Sequence, residues 1–305
     1  MPLVTSLAAI AALAPRIGRP LVIADVGCRW GFADTWRAFG RAATILGFDP
    51  DAAEVRRLEG ARTADEADDG PDVRYVPHGL GARSGPAAFH RTVEPACASL
   101  FPPDPLVIAH RQGNDILAPI GTGTVELTTL DEWAAGAGIA HIDALKLDTQ
   151  GADLDVIRGA ERLLPGVRLI EAEVMLNPLY VGQPLFGDLD RHLRDRGFVL
   201  WRLAHLVHYG LAGTRSAFPL PDVQYFDSRP VPLPAQGGQL FWAHAYYVPR
   251  TLAFGAEHDD WQGALRDACL LTAHGFRDLA GDALARVVDR APQDIADAIR
   301  SCLEP

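Results

Sequence analysis

The chain has 305 residues, 48% of them hydrophobic, with 28 Lys and Arg against 39 Asp and Glu for a formal net charge of -11 at pH 7. That hydrophobic share excludes wholesale disorder, and the length suits one large α/β domain, alone or with an appendage. A negative chain with no Lys/Arg-rich block repels a phosphate backbone, which argues against nucleic acid and leaves a neutral or cationic partner.

The N-terminal run Leu3 to Leu13 is apolar and Ala-rich, but it lacks a basic n-region and stops at Pro15, so it reads as a packing helix. No segment is long enough to span a bilayer. Leu21 to Asp25, Ala43 to Phe48, Val73 to Val76, Ile142 to Leu147 and Val167 to Glu171 are short apolar runs followed by helical patterns, the signature of a parallel sheet. Phe198 to Trp201 and Leu240 to Val248 read as closing strands. Between the third and fourth runs, alternation at Ala87 to Val93 and Thr124 to Leu127 predicts an inserted β-hairpin that would roof the carboxyl edge of the sheet. Phe218 to Gly238 carries Pro219, Pro221, Pro230, Pro232 and Pro234 and predicts a stiff loop, a lid or a linker. From Asp259 to Leu303 the pattern is helical, with Trp261, Leu265, Ala268, Leu271 and Phe276 on one face, followed by Leu279, Leu284, Val287 and Val288. This tail is expected to be an α-helical appendage over 251–305, serving packing or a homodimer contact, behind a catalytic domain over 1–250. Cys28, Cys97, Cys269 and Cys302 lie far apart with no C-x-x-C pair, which argues against a zinc ribbon or disulfide scaffold and for a reduced cytoplasm.

The sharpest local signal is Asp25-Val26-Gly27-Cys28-Arg29-Trp30-Gly31, where an apolar strand must turn into a helix running through Trp36 and Phe39. Glycine there lets the backbone approach a ligand. A dinucleotide fingerprint needs G-x-G-x-x-G, and here the middle glycine is missing, which counts against NAD or FAD. Eighteen residues after Gly31, the second strand ends at Phe48-Asp49-Pro50-Asp51, where Asp49 can accept from both ribose hydroxyls of a nucleoside. Alternatively, Asp49 or Asp51 caps the helix that starts near Ala52.

Lys146 is the only lysine: 28 basic residues less this one leaves 27 arginines. Alternation puts it on the same face as Asp148. A compact ammonium inside a strand can shift its pKa in service of catalysis, or it can form a structural ion pair with Asp148 or Glu173. Glu171 and Glu173 share a face of the fifth strand and reach the same edge, where open α/β sheets bind ligands. Asp148 and Glu173 are the candidates for taking a proton from an acceptor; a cation site is the alternative. His90, His110 and His141 are read as structural or surface residues, and His205 and His208 as scaffold despite their i, i+3 spacing. No metal is expected.

With these elements in order, the chain resembles the FkbM-type methyltransferases. The resemblance rests on Asp25 to Gly31, Gly47-Phe-Asp-Pro-Asp51, Thr129-Leu-Asp-Glu-Trp133, Leu145-Lys-Leu-Asp-Thr-Gln-Gly-Ala152 with Gly159-Ala160, and Glu171-Ala-Glu173 with Pro178-Leu-Tyr180 and Gly182-Gln183. It covers Leu21 to Pro249, including Gly238 to Trp242, and leaves both termini outside. Ala96-Cys97-Ala98-Ser99-Leu100 stands where the family has Ser-Ser-Leu, so Ala98 is a departure, as are the C-terminal helices. The resemblance implies a Rossmann-like, doubly wound, mostly parallel sheet with an antiparallel closing strand, and S-adenosyl-L-methionine as cofactor. It also implies methylation of a hydroxyl on a sugar, glycan or small natural product. Asp25, Gly27, Cys28 and Gly31 would surround the methionine moiety, with Asp148 at the same edge; Asp49 and Pro50 would meet the ribose, and backbone near His78 and Gly79 the adenine. Two other readings stand beside it: a different nucleotide-using α/β enzyme, such as a dehydrogenase with a degenerate loop, and a catalytically silent binding module on the cofactor fold.

Overall fold

The structure is a computed structural model that describes residues 2–61, 69–111, 113–212, 219–226, 229–236, 239–255 and 260–304. Phe218, Gly238 and Asp259, at the ends of segments expected above, lie outside the described residues. The central sheet has seven strands. They are β1 Leu21–Val26, β2 Ala43–Phe48, β3 Asp72–Val76, β4 Ala144–Leu147, β5 Leu169–Met175, β6 Phe198–Tyr209 and β7 Gln239–Pro249. Their spatial order is β6-β7-β5-β4-β1-β2-β3. Strands β1 to β5 pair in parallel, whereas β7 runs antiparallel to both β5 and β6 and closes the sheet. Strand order therefore reverses between β1 and β4, which opens a crevice at their carboxyl ends.

The apolar runs form strands because both faces are buried. In β1, Leu21 and Ile23 enter one core while Val22, Ala24 and Val26 enter the other. The helices include α1 Leu7–Ala11, α2 Ala52–Ala61, α3 Leu130–Gly136, α4 Asp153–Arg158, α5 Phe186–Arg194, α6 Trp261–Ala273, α7 Arg277–Ala285 and α8 Gln293–Ser301. Side chains of α3, α4 and α5 fill one core, and those of α1, α6, α7 and α8 fill the other. The tail helices thus pack directly on the sheet. Arg168, just before β5, holds Asp267 of α6 with Nε at 3.0 Å from Oδ1 and Nη2 at 2.8 Å from Oδ2, a fork geometry that fixes the helix on the strand. Leu3–Val4 and Leu303–Glu304 pair antiparallel, so the two ends of the chain meet. A Cβ at Gly281 of α7 would lie 2.1 Å from the Pro2 carbonyl oxygen, so only glycine lets this ribbon lie on the helix.

Gly85–Thr92 and Pro119–Thr128 form the antiparallel hairpin expected between the third and fourth strands, joined in parallel by Gly79–Leu80. Two local expectations are corrected. The segment after β1 is not an α-helix through Trp36 and Phe39 but 3-10 turns over Asp34–Ala42, broken at Gly40, whose φ of 48° and ψ of -137° leave helical space. The proline-rich stretch is not a loop throughout: Pro219–Phe226 and Arg229–Gln236 pair as an antiparallel ribbon. Its prolines all fall in the register pairs 219/236, 221/234, 223/232 and 225/230. Because proline has no N–H, this single parity leaves the ladder's hydrogen bonds to the alternate pairs, which is how the ribbon tolerates them.

Candidate active site

At the carboxyl ends of β1, β2 and β4 lies a cavity of about 230 Å³. Gly27, Asp49, Pro50, His78, Gly79, Asp148 and Glu173 all line it, so seven residues singled out from sequence are brought together. Phe89, Val125 and Leu127 of the inserted sheet, with Ala98 and Leu100, form its roof. Ser99 does not enter the cavity lining; it is buried and donates from Oγ to the Gln150 carbonyl at 2.6 Å, tying roof to floor.

The first turn is built for close approach. Gly27 has φ 83°, and a Cβ there would lie 1.9 Å from the Asp148 carbonyl oxygen. The Gly27 and Cys28 N–H groups both donate to the Phe48 carbonyl, at 2.9 and 3.1 Å, which seals β1 against β2 below the cavity. Trp30 follows with φ 77° and is 71% exposed, an uncommon conformation for a bulky side chain. Two residues of this motif stand outside the cavity lining. The Cys28 side chain is buried away from the cavity, with its Sγ 3.0 Å from where a Gly47 Cβ would stand, and burial pushes its thiol pKa up. Gly31, at φ 95°, has turned off the cavity toward Leu58 and Tyr75.

Asp51, and not Asp49, takes the capping role that the sequence left open. Asp51 caps α2, its Oδ1 accepting from the N–H groups of Ala53 at 2.9 Å and Glu54 at 3.3 Å. Asp49 is buried at the cavity wall; its Oδ1 accepts from the Asp51 N–H at 2.7 Å, and its Oδ2 lies 3.6 Å from Arg29 Nε. Burial raises its carboxyl pKa. The carboxylate keeps acceptor capacity toward the cavity, as a pair of ribose hydroxyls requires.

Asp25 and Lys146 lie beneath the floor rather than in the lining. They are register partners on β1 and β4, and Lys146 pairs in turn with Glu171 on β5. Lys146 Nζ is 3.0 Å from Asp25 Oδ1 and 3.6 Å from Asp148 Oδ2. Burial opposes its charge, but Asp25 and Asp148 outweigh that and hold its pKa above the ordinary value, which favours the charged form. Burial, only partly offset by Lys146, raises the Asp25 carboxyl.

At the far end of the cavity, Gln150 joins the two carboxylates named from sequence. Its Nε2 donates to Asp148 Oδ1 at 3.1 Å and to Glu173 Oε2 at 2.9 Å, while its Oε1 accepts from the buried Tyr180 hydroxyl at 2.8 Å. Burial and the Asp148 charge hold the Glu173 carboxyl well above the usual range, which favours its neutral form. Trp242 and His244 of β7 complete this end. His244 was not singled out from sequence, although alternation in the last strand places Trp242, His244 and Tyr246 on one face. Its Nδ1 lies 2.8 Å from Glu171 Oε1, and the Tyr246 hydroxyl donates to the same oxygen at 3.1 Å. The Glu171 Oε2 is met at 3.2 Å by His274 Nε2, from the end of α6. Burial opposes the Glu171 charge, but the His244 and His274 contacts hold the carboxyl far below the usual range. His205, at a bulge with φ 51°, stands with its ring 5.0 Å from that of His244. His90, His110, His141 and His208 do not line the cavity. Among the described residues, no group of three His, Cys, Asp or Glu side chains could hold a metal ion, and no helix is long and apolar enough to cross a membrane.

The profile of the methyltransferase FkbM domain matches residues 25–200, more than half of the chain. The chain belongs to the FkbM methyltransferase family. The 2-O-methyltransferase NoeI of Sinorhizobium fredii (strain NBRC 101917 / NGR234) is 31% identical over 178 residues, which are 55% of this chain and 70% of that protein. Among solved structures, the magnesium protoporphyrin IX methyltransferase ChlM of Synechocystis PCC 6803 with bound SAM overlays on 80% of this chain and 77% of its own, with a TM-score of 0.34 and 12% identity. This FkbM methyltransferase uses S-adenosylmethionine as its methyl donor. Its cavity fits that donor on its own geometry. Gly27, with no room for a Cβ against the Asp148 carbonyl, brings bare backbone to a cavity that also holds the buried Asp49 carboxylate with acceptor capacity to spare.

Proposed function

We propose that this FkbM methyltransferase transfers the methyl group to a hydroxyl oxygen of a glycan or a similarly hydroxylated small molecule. The observation that carries the reading is the far end of the cavity, where Asp148, Gln150 and Glu173 form a continuous polar edge beside Trp242. Neighbouring hydroxyls of a sugar can donate to Asp148 and accept from a neutral Glu173, while the indole offers an apolar surface to the ring's C–H face. Similarity to a 2-O-methyltransferase supports oxygen as the acceptor atom.

S-adenosylmethionine, when bound, supplies a methyl group on a sulfonium whose leaving group is already built in. The chain's own task is to hold and orient the acceptor and to accommodate its proton. In this reading Asp49 takes the ribose hydroxyls with Pro50 beside it, His78 and Gly79 border the base, and Gly27 lets the backbone reach the methionine moiety. Asp25 and Lys146 fix the charge beneath that moiety, with Asp148 reaching both it and the acceptor. The domain is residues 1–250, with 251–305 as its helical annex. A reducing cytoplasmic setting is supported by four cysteines that are all free thiols.

Incubation with methyl-labelled S-adenosylmethionine and a panel of mono- and oligosaccharides is expected to give a labelled product that survives mild alkali, because an ether is stable where a methyl ester is cleaved. Label released by alkali, or found only on nitrogen, would contradict hydroxyl methylation.

A further inference from the structure

The cavity end that takes the acceptor is held by a contact from outside the FkbM-matched segment. His274 closes α6, and its two ring nitrogens face two acceptors: Nδ1 lies 3.0 Å from the Leu270 carbonyl and Nε2 lies 3.2 Å from Glu171 Oε2. A carbonyl and an ionised carboxylate only accept, so the ring satisfies both only with a proton on each nitrogen. Across the same carboxylate, Glu171 Oε1 stands 2.8 Å from His244 Nδ1, a contact that requires a proton on that nitrogen. His244 lines the cavity, and its Nε2 has no protein partner among the described residues.

This is the geometry of a general base. A carboxylate orients the imidazole through one nitrogen and leaves the other to take a proton. The two carboxylates at the same end are less suited. Glu173 favours its protonated form, and Asp148 is engaged by Lys146 and Gln150. The groups facing His244 are Glu171 and Glu173 on β5, His205 on β6 and His274 behind Glu171.

We propose that His244 is the general base of the methyl transfer, oriented by Glu171, and that His274 of the C-terminal helices is a positioning residue that locks Glu171 from behind. The proposal rests on hydroxyl methylation as the reaction. The acceptor O–H bond breaks and its proton moves to His244 Nε2, giving the imidazolium. The oxygen lone pair forms the new O–C bond as the methyl carbon's bond to sulfur breaks, with its electron pair remaining on sulfur. The His244 side chain, 21% exposed, can then release the proton to solvent.

The test combines ¹H–¹⁵N spectra of the imidazole nitrogens at pH 7 with kinetics on whichever saccharide of the panel above is methylated. The spectra are expected to show His244 protonated on Nδ1 alone and His274 on both nitrogens, with both patterns lost in Glu171→Gln. His244→Ala is expected to lower kcat by about 10²–10⁴-fold, with partial rescue by added imidazole and with S-adenosylhomocysteine affinity unchanged. His274→Gln is expected to lower kcat about tenfold at unchanged KM, an effect of base orientation. A proton on His244 Nε2, or a His244→Ala enzyme that keeps its kcat, overturns the proposal. If the spectra are as expected but no hydroxyl is methylated by the wild-type protein, the reaction assignment fails and the base assignment falls with it.

Discussion

Gly27→Ala is expected to weaken S-adenosylhomocysteine binding more than about 100-fold, the loss that follows when the backbone at a ligand is strained and displaced. Two independent features forbid the added carbon. The φ of 83° is one that L-residues rarely adopt, and the new Cβ would lie 1.9 Å from the Asp148 carbonyl oxygen, well inside any real contact. Relaxation is blocked from below, because the Gly27 and Cys28 N–H groups are both committed to the Phe48 carbonyl. The strand ends must therefore move apart, and the cavity is built on their spacing. The melting temperature is expected to fall as well, since strain of about 1–3 kcal/mol enters the centre of the sheet. Calorimetric titration with S-adenosylhomocysteine beside a thermal melt checks both; a folded Gly27→Ala protein that binds like the wild type would remove Gly27 from the site.

Asp49→Ala is expected to weaken S-adenosylhomocysteine binding by about 1–3 kcal/mol, roughly 5- to 150-fold, the cost of removing one hydrogen-bonding carboxylate from buried partners. Because Asp51 and not Asp49 caps α2, the helix survives the change. The Asp49 contact to the Asp51 N–H is lost at the same time, so Asp49→Asn is the informative control: its amide oxygen can keep that contact while losing half of the acceptor capacity offered to a ribose. Asp51→Ala is expected to behave oppositely, lowering the melting temperature through the lost cap with a smaller effect on affinity. Equal losses of affinity for Asp49→Ala and Asp51→Ala would mean that the turn as a whole, and not the Asp49 carboxylate, binds the ligand.

Much of the sheet was legible because its strands are buried on both faces, which makes them short continuous apolar runs, and because the antiparallel hairpin shows period-2 alternation. Asp49 was legible as a position but not as a role: a carboxylate after a strand and before a helix serves as a cap or as a ligand, and only the Asp51 contacts to Ala53 and Glu54 show which of the two aspartates is the cap. Cys28 and Gly31 stand apart from the cavity lining, because adjacency in a motif does not fix direction. Arg29 and Trp30 still line the cavity after Gly27, whereas Cys28, between Gly27 and Arg29, is buried behind it and Gly31, left-handed like Trp30, points elsewhere. The prolines of the ribbon misled for a related reason, since their disruptive effect depends on register parity, which a count of prolines does not carry. His274 was illegible as a partner of Glu171, because 103 residues separate them and the contact exists only once α6 packs on the sheet. His244 left a fainter trace in the alternation of β7, where Trp242 and Tyr246 share its face.

The helical tail therefore bears on the site as well as on the core. It fills one face of the sheet, and its His274 reaches the carboxylate that fixes His244 at the cavity.

The most direct measurement is a crystal structure with S-adenosylhomocysteine. The expected result is density across the carboxyl ends of β1, β2 and β4, with both ribose hydroxyls on the Asp49 carboxylate, the backbone of Gly27 against the methionine moiety and the sulfur directed toward Asp148, Glu173 and His244. Ordered ligand in another cavity, or in this one with its ribose away from Asp49, would contradict the assignment of the site.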